Sequence, residues 1–364
     1  LKIAIDFREA AKPTRAGKGE YTFQLVKAWL ELGTGDKFIL LIEPGQIVSL
    51  TPGSWRAKVV PVSGWLWHLW VAGWLEFIRP VKLYFSPTSL IVPALVRSVK
   101  VVTTVHDFTV WRFPSRHLPK AVLVERWLMP LASQASNHII AVSEFTKREA
   151  RDLFHLPDEK ISVVLEAAGQ QFVPIVPTPA TITALQQKYD LPGKFLLYLG
   201  TIEPRKNISR LLDAWEMVAA DFPEFQLVLA GGTGWSSDDI VNRAQNRVVM
   251  TGYIHDIDRP LLYNLATAFV FPSLYEGFGI PPLEAMASGV PVITSTAASL
   301  PEVVGNAAVL VPAHDTQALA NAIRQVLGSP EIRDSLRQQG LVQAKKFNWS
   351  LAAKLTNQII HRYD

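Results

Sequence analysis

The chain has 364 residues, 49% of them apolar and 19% charged, which gives ample material for a core and excludes a wholly disordered segment. At roughly 150 residues per domain, this length predicts about two domains. Lys plus Arg (36) against Asp plus Glu (32) leaves a formal charge of +4, too small to argue for nucleic acid; the absence of cysteine excludes disulfide scaffolds, thiolate zinc sites and cysteine nucleophiles.

The opening run Leu1–Asp6 reads as a strand rather than a signal peptide. Further β-rich runs are Phe38–Ile42, Lys58–Val60, Leu83–Phe85, Val99–Val105, His138–Val142 and Ile161–Val164. Helical stretches fall between them at Glu20–Leu32, Pro119–Gln134 and Glu144–Phe154. Such alternation predicts an α/β fold with a parallel sheet covered on both faces. No run of 18 apolar residues occurs; the longest candidate, Trp65–Phe77, is broken by His68 and Glu76, so no helix is expected to span a bilayer.

The segment Ala168–Ala180 breaks the rhythm with Pro174, Pro177 and Pro179 and reads as a linker. The pattern then restarts with Phe195–Leu199, Gln226–Ala230, Val248–Thr251, Ala268–Phe271, Val290–Thr294 and Ala308–Val311. The chain is therefore expected to form two Rossmann-like domains, over 1–170 and 181–346, with a linker over 171–180. Ligands of open parallel sheets bind beyond the carboxyl ends of the strands, so a cleft between the two domains is expected.

Two constellations carry candidate chemistry. In Gly200-Thr201-Ile202-Glu203-Pro204-Arg205-Lys206-Asn207, two cations follow a strand and precede a helix expected over Ile208–Ala220. Two cations at a helix N-terminus suit a diphosphate; a solvated basic turn is the bland alternative. In Ser273 to Glu284, Glu276 sits in a glycine-bearing loop, and Gly277 and Gly279 permit close backbone approach to an anion. A helix then opens at Pro281 or Pro282 and carries Glu284, and Gly289 ends it. Read alone, Glu284 could merely complement the helix dipole, and Glu276 could be an ordinary loop acid.

Glu276 and Glu284 with the intervening Gly-Phe-Gly, the helix Pro-Leu-Glu-Ala-Met-Ala and the downstream Ser288–Ile293 resemble the signature of retaining family 4 (group 1) glycosyltransferases of the GT-B fold, mannosyltransferase-like members in particular. The likeness extends more loosely to Gly17-Lys18-Gly19-Glu20-Tyr21, Val105-His106-Asp107, Ala141–Lys147 and Phe347-Asn348-Trp349. It implies a donor-binding second domain, an acceptor-binding first domain, and a terminal helix over 347–364 that completes the first. Arg205 and Lys206 would take the phosphates, Glu276 the sugar hydroxyls and Glu284 the ribose. Gly17, Gly19, Gly200, Thr201, Gly277, Phe278, Gly279 and Ile280 would bind the donor, and His106 the transferred sugar by ring or backbone. The co-substrate would be a GDP- or UDP-linked sugar, with GDP-mannose favoured and no further cofactor or metal. The acceptor would be a saccharide or lipid-linked saccharide, and no nucleic acid is involved. The setting would be cytoplasmic, with peripheral contact on the inner face of the membrane.

Several features qualify the likeness. Thr201 stands where many relatives carry Arg, and Leu165–Gly169 departs from the usual Asn-Gly-Val-Asp run. A sugar-nucleotide epimerase shares fold and donor but needs extra acid–base groups, and a silent sugar-nucleotide-binding protein is opposed by the joint presence of Arg205, Lys206, Glu276 and Glu284. A dehydrogenase is disfavoured because Thr22 replaces the third glycine of its fingerprint. Asp256-Ile257-Asp258 reads as helix-capping acids rather than a metal site. His106 could instead be a structural histidine partnered by Asp107, and Ser143 is a helix cap. Trp67, Trp70 and Trp74 share a helical face, which reads as core or, alternatively, as a membrane-interface surface with Arg79 and Lys82 nearby; Trp349 reads as a packing anchor.

Overall fold

The computed structural model describes residues 1–114, 119–232 and 247–364. The chain divides into two compact units, Leu1–Glu166 with Asn348–Asp364, and Ala167–Phe347. The segment expected as linker ends inside a helix, Pro179–Tyr189, which Thr178 caps by accepting from the Thr181 amide.

The first unit holds a parallel sheet of β1 (Lys2–Asp6), β2 (Lys37–Ile42), β3 (Trp55–Val59), β4 (Leu83–Ser86), β5 (Lys100–Val105), β6 (His138–Ala141) and β7 (Ile161–Val163), in the order β3-β2-β1-β4-β5-β6-β7. The second holds β8 (Phe195–Leu199), β9 (Gln226–Ala230), β10 (Val248–Gly252), β11 (Ala268–Phe271), β12 (Val292–Ser295) and β13 (Ala308–Val311), in the order β10-β9-β8-β11-β12-β13, again parallel. Central strands such as Phe-Leu-Leu-Tyr-Leu of β8 are buried at every position, as strands covered on both faces must be. In each sheet the chain reverses its direction of growth once, between β1 and β4 and between β8 and β11. Loops leaving these neighbours diverge to opposite faces and open a crevice at the strand ends.

Two sequence expectations shift. The strand expected at Lys58–Val60 runs over Trp55–Val59, an edge strand whose Arg56 and Lys58 hide it from an apolar-run reading. The helix expected to reach Ala220 ends at Glu216, and the chain turns before Pro223, which cannot continue a helix.

The C-terminal helix Trp349–Ile360 is part of the first unit and packs on the helix Gly17–Glu31. Asn348 caps it by accepting from the Leu351 amide at 2.7 Å, and Trp29 Nε1 donates to Asn357 Oδ1 at 3.0 Å. Trp349 is buried and meets Tyr21 edge-on at 5.8 Å, as a packing anchor does. Ser143 likewise caps Glu144–Phe154.

The tryptophan stripe resolves into core. Trp67 is fully buried, and Trp70 and Trp74 stack on each other at 6.1 Å against the same apolar cluster. On the same helix, Gly64–Gly73, Trp65, Leu66 and Leu69 are exposed instead.

Gly19 is glycine for a packing reason: a Cβ there would lie 2.5 Å from the Glu9 carbonyl oxygen, whereas Gly17 faces open space. Gly19→Ala should therefore cost about 1–3 kcal/mol in urea unfolding by overpacking. Gly17→Ala should change stability by less than about 0.5 kcal/mol.

Candidate functional site

In the second unit, the loops after β8 and β11 meet because these strands are neighbours at the sheet's reversal. The first loop forms a single turn, Pro204–Lys206, and Asn207 then takes a left-handed conformation (φ 62°) that starts the helix Ile208–Glu216. The Asn207 side-chain amide donates to the carbonyls of Pro272 (3.0 Å) and Ala313 (2.8 Å). The Leu274 amide donates to the Arg205 carbonyl at 2.9 Å. The two loops are thus sewn together by backbone and amide bonds before any charge is considered.

The charges complete the seam. Lys206 Nζ donates to Glu276 Oε1 at 2.7 Å, and Ser273 Oγ donates to the same oxygen at 2.6 Å. Arg205 Nη1 lies 3.0 Å from Glu276 Oε2 and donates to the Tyr275 carbonyl; its Nη2 donates to Glu203 Oε1 at 2.6 Å. Lys206 and Glu276 are buried. Burial opposes the Glu276 carboxylate, but Lys206 and then Arg205 outweigh it and hold its pKa below the usual carboxylate value. Burial also lowers the Lys206 pKa, and Glu276 offsets only part of that. Two cations and two carboxylates balance here. The basic turn is therefore neither solvated nor bare, and Glu276 is not an ordinary loop acid.

Glu284 lies elsewhere in the same unit, on the helix Ile280–Ala287. Gly279 precedes it with φ 125°, a conformation that L side chains rarely adopt. Pro281 and Pro282 follow, so of the first three helical positions only Ile280 offers an N–H. Phe278 is buried edge-on against Phe347, and Ser299 Oγ donates to its carbonyl and to that of Glu276. Thr201 accepts from Tyr198 through its carbonyl, and the Gly200 amide donates to Ala230. Gly277 belongs to the same loop as Glu276.

Glu284 is not a simple dipole partner. Its Oε2 accepts from Arg259 Nη2 at 2.5 Å and from Tyr263 at 3.0 Å. Sequence reading missed Arg259, which follows directly on the Asp-x-Asp run. A buried glutamate amid Leu283, Ala285 and Met286 was the one available hint that a cation must lie nearby. Asp258 makes no side-chain cap; it accepts from Lys188 (2.7 Å) and Tyr189 (2.6 Å) across to another helix. Among the described residues, no group of three His, Asp or Glu side chains is placed to hold a metal ion.

His106, Gly17 and Gly19 lie in the first unit, where they line a cavity of about 600 Å³. Arg8 and Glu9 after β1 and Thr88–Ile91 after β4 bound it at that sheet's own reversal. His106 Nδ1 sits 3.2 Å from Glu166 Oε1, and Nε2 sits 2.8 Å from the Pro87 carbonyl oxygen. Its ring thus meets Glu166, in the segment Leu165–Gly169 that departs from the family's usual run. Asp107 accepts from the Thr109 amide at 2.9 Å and from its hydroxyl. His68, also lining the cavity, contacts Arg8 at 3.4 Å; burial and then the Arg8 charge push its pKa down to about 4, so its ring is neutral at pH 7.

Removing one member of the buried Lys206–Glu276 pair leaves an uncompensated charge. Lys206→Ala should cost about 3 kcal/mol in urea unfolding. Lys206→Ala with Glu276→Gln should cost less than the sum of the two single changes, which a double-mutant cycle measures.

Comparison with known proteins supplies the family. Residues 183–342 match the model described as glycosyl transferases group 1, and residues 60–166 match glycosyltransferase family 4. The chain is 35% identical to O-antigen chain mannosyltransferase B of Escherichia coli over 274 residues, covering 73% of this chain and 71% of that protein. It is 32% identical over 265 residues to the serotype-specific mannosyltransferase WbdA of Escherichia coli, covering 70% of this chain but only 32% of that longer protein. Among solved structures, Anabaena HepE in complex with UDP and glucose superposes with a TM-score of 0.75 at 19% identity, covering 99% of each chain. The buried two-cation loop, the paired glutamates and the two parallel sheets thus belong together: the chain is a member of the group 1, family 4 glycosyltransferases and has the GT-B fold.

Proposed function

We propose that this glycosyltransferase moves a mannosyl unit from GDP-mannose to a hydroxyl of a lipid-linked saccharide, with retention of anomeric configuration and without a bound metal. The observation that carries this reading is the buried network of Arg205, Lys206 and Glu276. Similarity to an O-antigen mannosyltransferase favours mannose over other hexoses. The chemical problem is negative charge developing on a departing diphosphate beside an oxocarbenium-like sugar. Arg205 and Lys206 supply fixed positive charge there, in a loop already rigid. Because Glu276 and Glu203 neutralise them in the free protein, an incoming diphosphate competes with carboxylates for these cations. Glu276 Oε1 is fully engaged by Lys206 and Ser273, so Oε2 is the oxygen turned to a sugar hydroxyl when Arg205 shifts to phosphate. Glu284 takes the ribose hydroxyls. Gly200, Thr201 and the Gly277–Ile280 backbone line the donor.

An apolar surface on the first unit favours an amphiphilic acceptor and contact with an anionic bilayer. The helix Ile91–Leu95 packs against both Gly64–Gly73 and Pro119–Ala135. These three helices expose Trp65, Leu66, Leu69, Leu95, Leu123, Trp127 and Leu131. Trp65 is 57% and Trp127 69% exposed, which the core does not explain. Val124 and Leu128, in the strip next to Trp127, line the cavity that holds His106. Exposed Arg79, Lys82, Arg97 and Arg126 add the positive charge that anionic lipid attracts.

A calorimetric and thermal-shift screen with GDP, UDP, ADP and their sugar conjugates tests the donor. A ligand at about 100 times its Kd should stabilise the fold by about 2.7 kcal/mol. GDP-mannose should give the response, and Lys206→Ala and Glu284→Ala should lose it. A response to UDP-sugars alone overturns the donor assignment, and silence toward every nucleotide overturns the reading. For the membrane, the protein should float with vesicles containing phosphatidylglycerol. Trp65→Ser with Trp127→Ser should lower the floated fraction several-fold, and equal flotation of both proteins would remove this surface from the account.

A further inference from the structure

We propose that Arg259 is a positioning residue: acting through the Glu284 carboxylate, it sets how tightly the ribose of the nucleotide donor is held. The inference rests on the reading that Glu284 receives ribose hydroxyls. Its own ground is a three-residue clamp that no motif contains. Arg259 and Tyr263 stand four residues apart on the helix Arg259–Leu265, so both side chains project from one face. Both donate to one oxygen, Glu284 Oε2, at 2.5 and 3.0 Å. Tyr263 is fully buried, and its hydroxyl also reaches the Pro281 carbonyl at 3.4 Å. The Arg259 guanidinium lies over the Phe172 ring, 5.5 Å from its centre, and Phe172 meets Tyr263 edge-on at 5.8 Å. The second Arg259 arm reaches Asp256 Oδ1 at 3.5 Å. Oε2 is thus held by two donors that are themselves held by Phe172, Pro281 and Asp256.

A ribose diol has two hydroxyls to donate, and an ionised carboxylate only accepts. Such a pair is strong when the carboxylate keeps its charge and its plane is fixed in advance. Burial works against the Arg259 charge, yet the Glu284 carboxylate outweighs that and raises the guanidinium pKa. Arg259 thus stays cationic in every accessible condition and serves as a permanent counter-charge. A lysine there would keep the charge but not the planar fork. Removing the cation leaves the buried carboxylate without the arginine that fixes Oε2 and poorly compensated.

The test compares the wild type, Arg259→Met, Arg259→Lys and Glu284→Gln by calorimetry. The probes are GDP and 2′,3′-dideoxy-GDP, or the UDP pair if UDP is the better ligand. The wild type should prefer the ribonucleotide by about 100-fold, the worth of two charge-assisted hydrogen bonds. Arg259→Met should weaken ribonucleotide binding at least tenfold while leaving the dideoxy affinity within about twofold. Arg259→Lys should fall between the two. The Arg259→Met and Glu284→Gln effects should not add, because they act on one contact. An Arg259→Met protein that keeps the full ribose preference overturns the inference while leaving the ribose role of Glu284 standing. Equal weakening toward both probes also overturns it, because the loss would then lie outside the ribose contact. A wild type indifferent to the hydroxyls overturns the ribose role itself, and the inference with it.

Discussion

The second unit is organised around a buried charge pair that two loops must share. Neither Lys206 nor Glu276 can be buried alone, since an isolated charge in a low-dielectric interior costs several kcal/mol. Each loop therefore needs the other. The strand order supplies the meeting place, because β8 and β11 are neighbours where the sheet reverses. Asn207, Ser273 and the Leu274 amide then fix the loops to each other, so the ion pair forms in a frame that does not depend on it. A network whose cations and carboxylates already balance is also a poised one. No bare cation is left buried, because Glu276 and Glu203 balance Arg205 and Lys206.

The first unit repeats the topological logic with different chemistry. Its reversal lies between β1 and β4, and the loops after these strands bound the cavity that His106 lines. Here no buried lysine occurs among the described residues. Both His106 ring nitrogens lie against protein oxygens, from Glu166 and Pro87, so the ring is braced from both sides. Glu166 is the last residue of the first unit before the chain enters the second. The brace therefore ties the end of β5 to the point where the chain leaves the domain.

Glu276 and Glu284 illustrate two ways of keeping a carboxylate buried. Glu276 divides its oxygens between two cations and a serine, all from the loops it joins. Glu284 receives an arginine and a tyrosine on one oxygen, from a helix that begins 25 positions earlier in the chain.

Much of this was legible in the sequence, for reasons that are local. Strands buried on both faces read as apolar runs, so β8, β9 and β11 match their expected limits residue for residue. Gly289 and the prolines at 281 and 282 mark helix ends because backbone conformation is set within a residue or two. The paired glutamates, the two cations and the family resemblance were likewise visible as ordered motifs. What the sequence left open is who meets whom. That Lys206 would pair with Glu276, Glu284 with Arg259, and His106 with Glu166 depends on strand order and helix packing across 70, 25 and 60 positions. The tryptophan stripe makes the same point. Periodicity placed Trp67, Trp70 and Trp74 on one face, but only the packed unit decided that this face turns inward and that Trp65, at the helix start, turns out. Local propensity and apolar pattern determine which elements form; long-range burial decides which charges must find each other, because compensation is required only where water is gone.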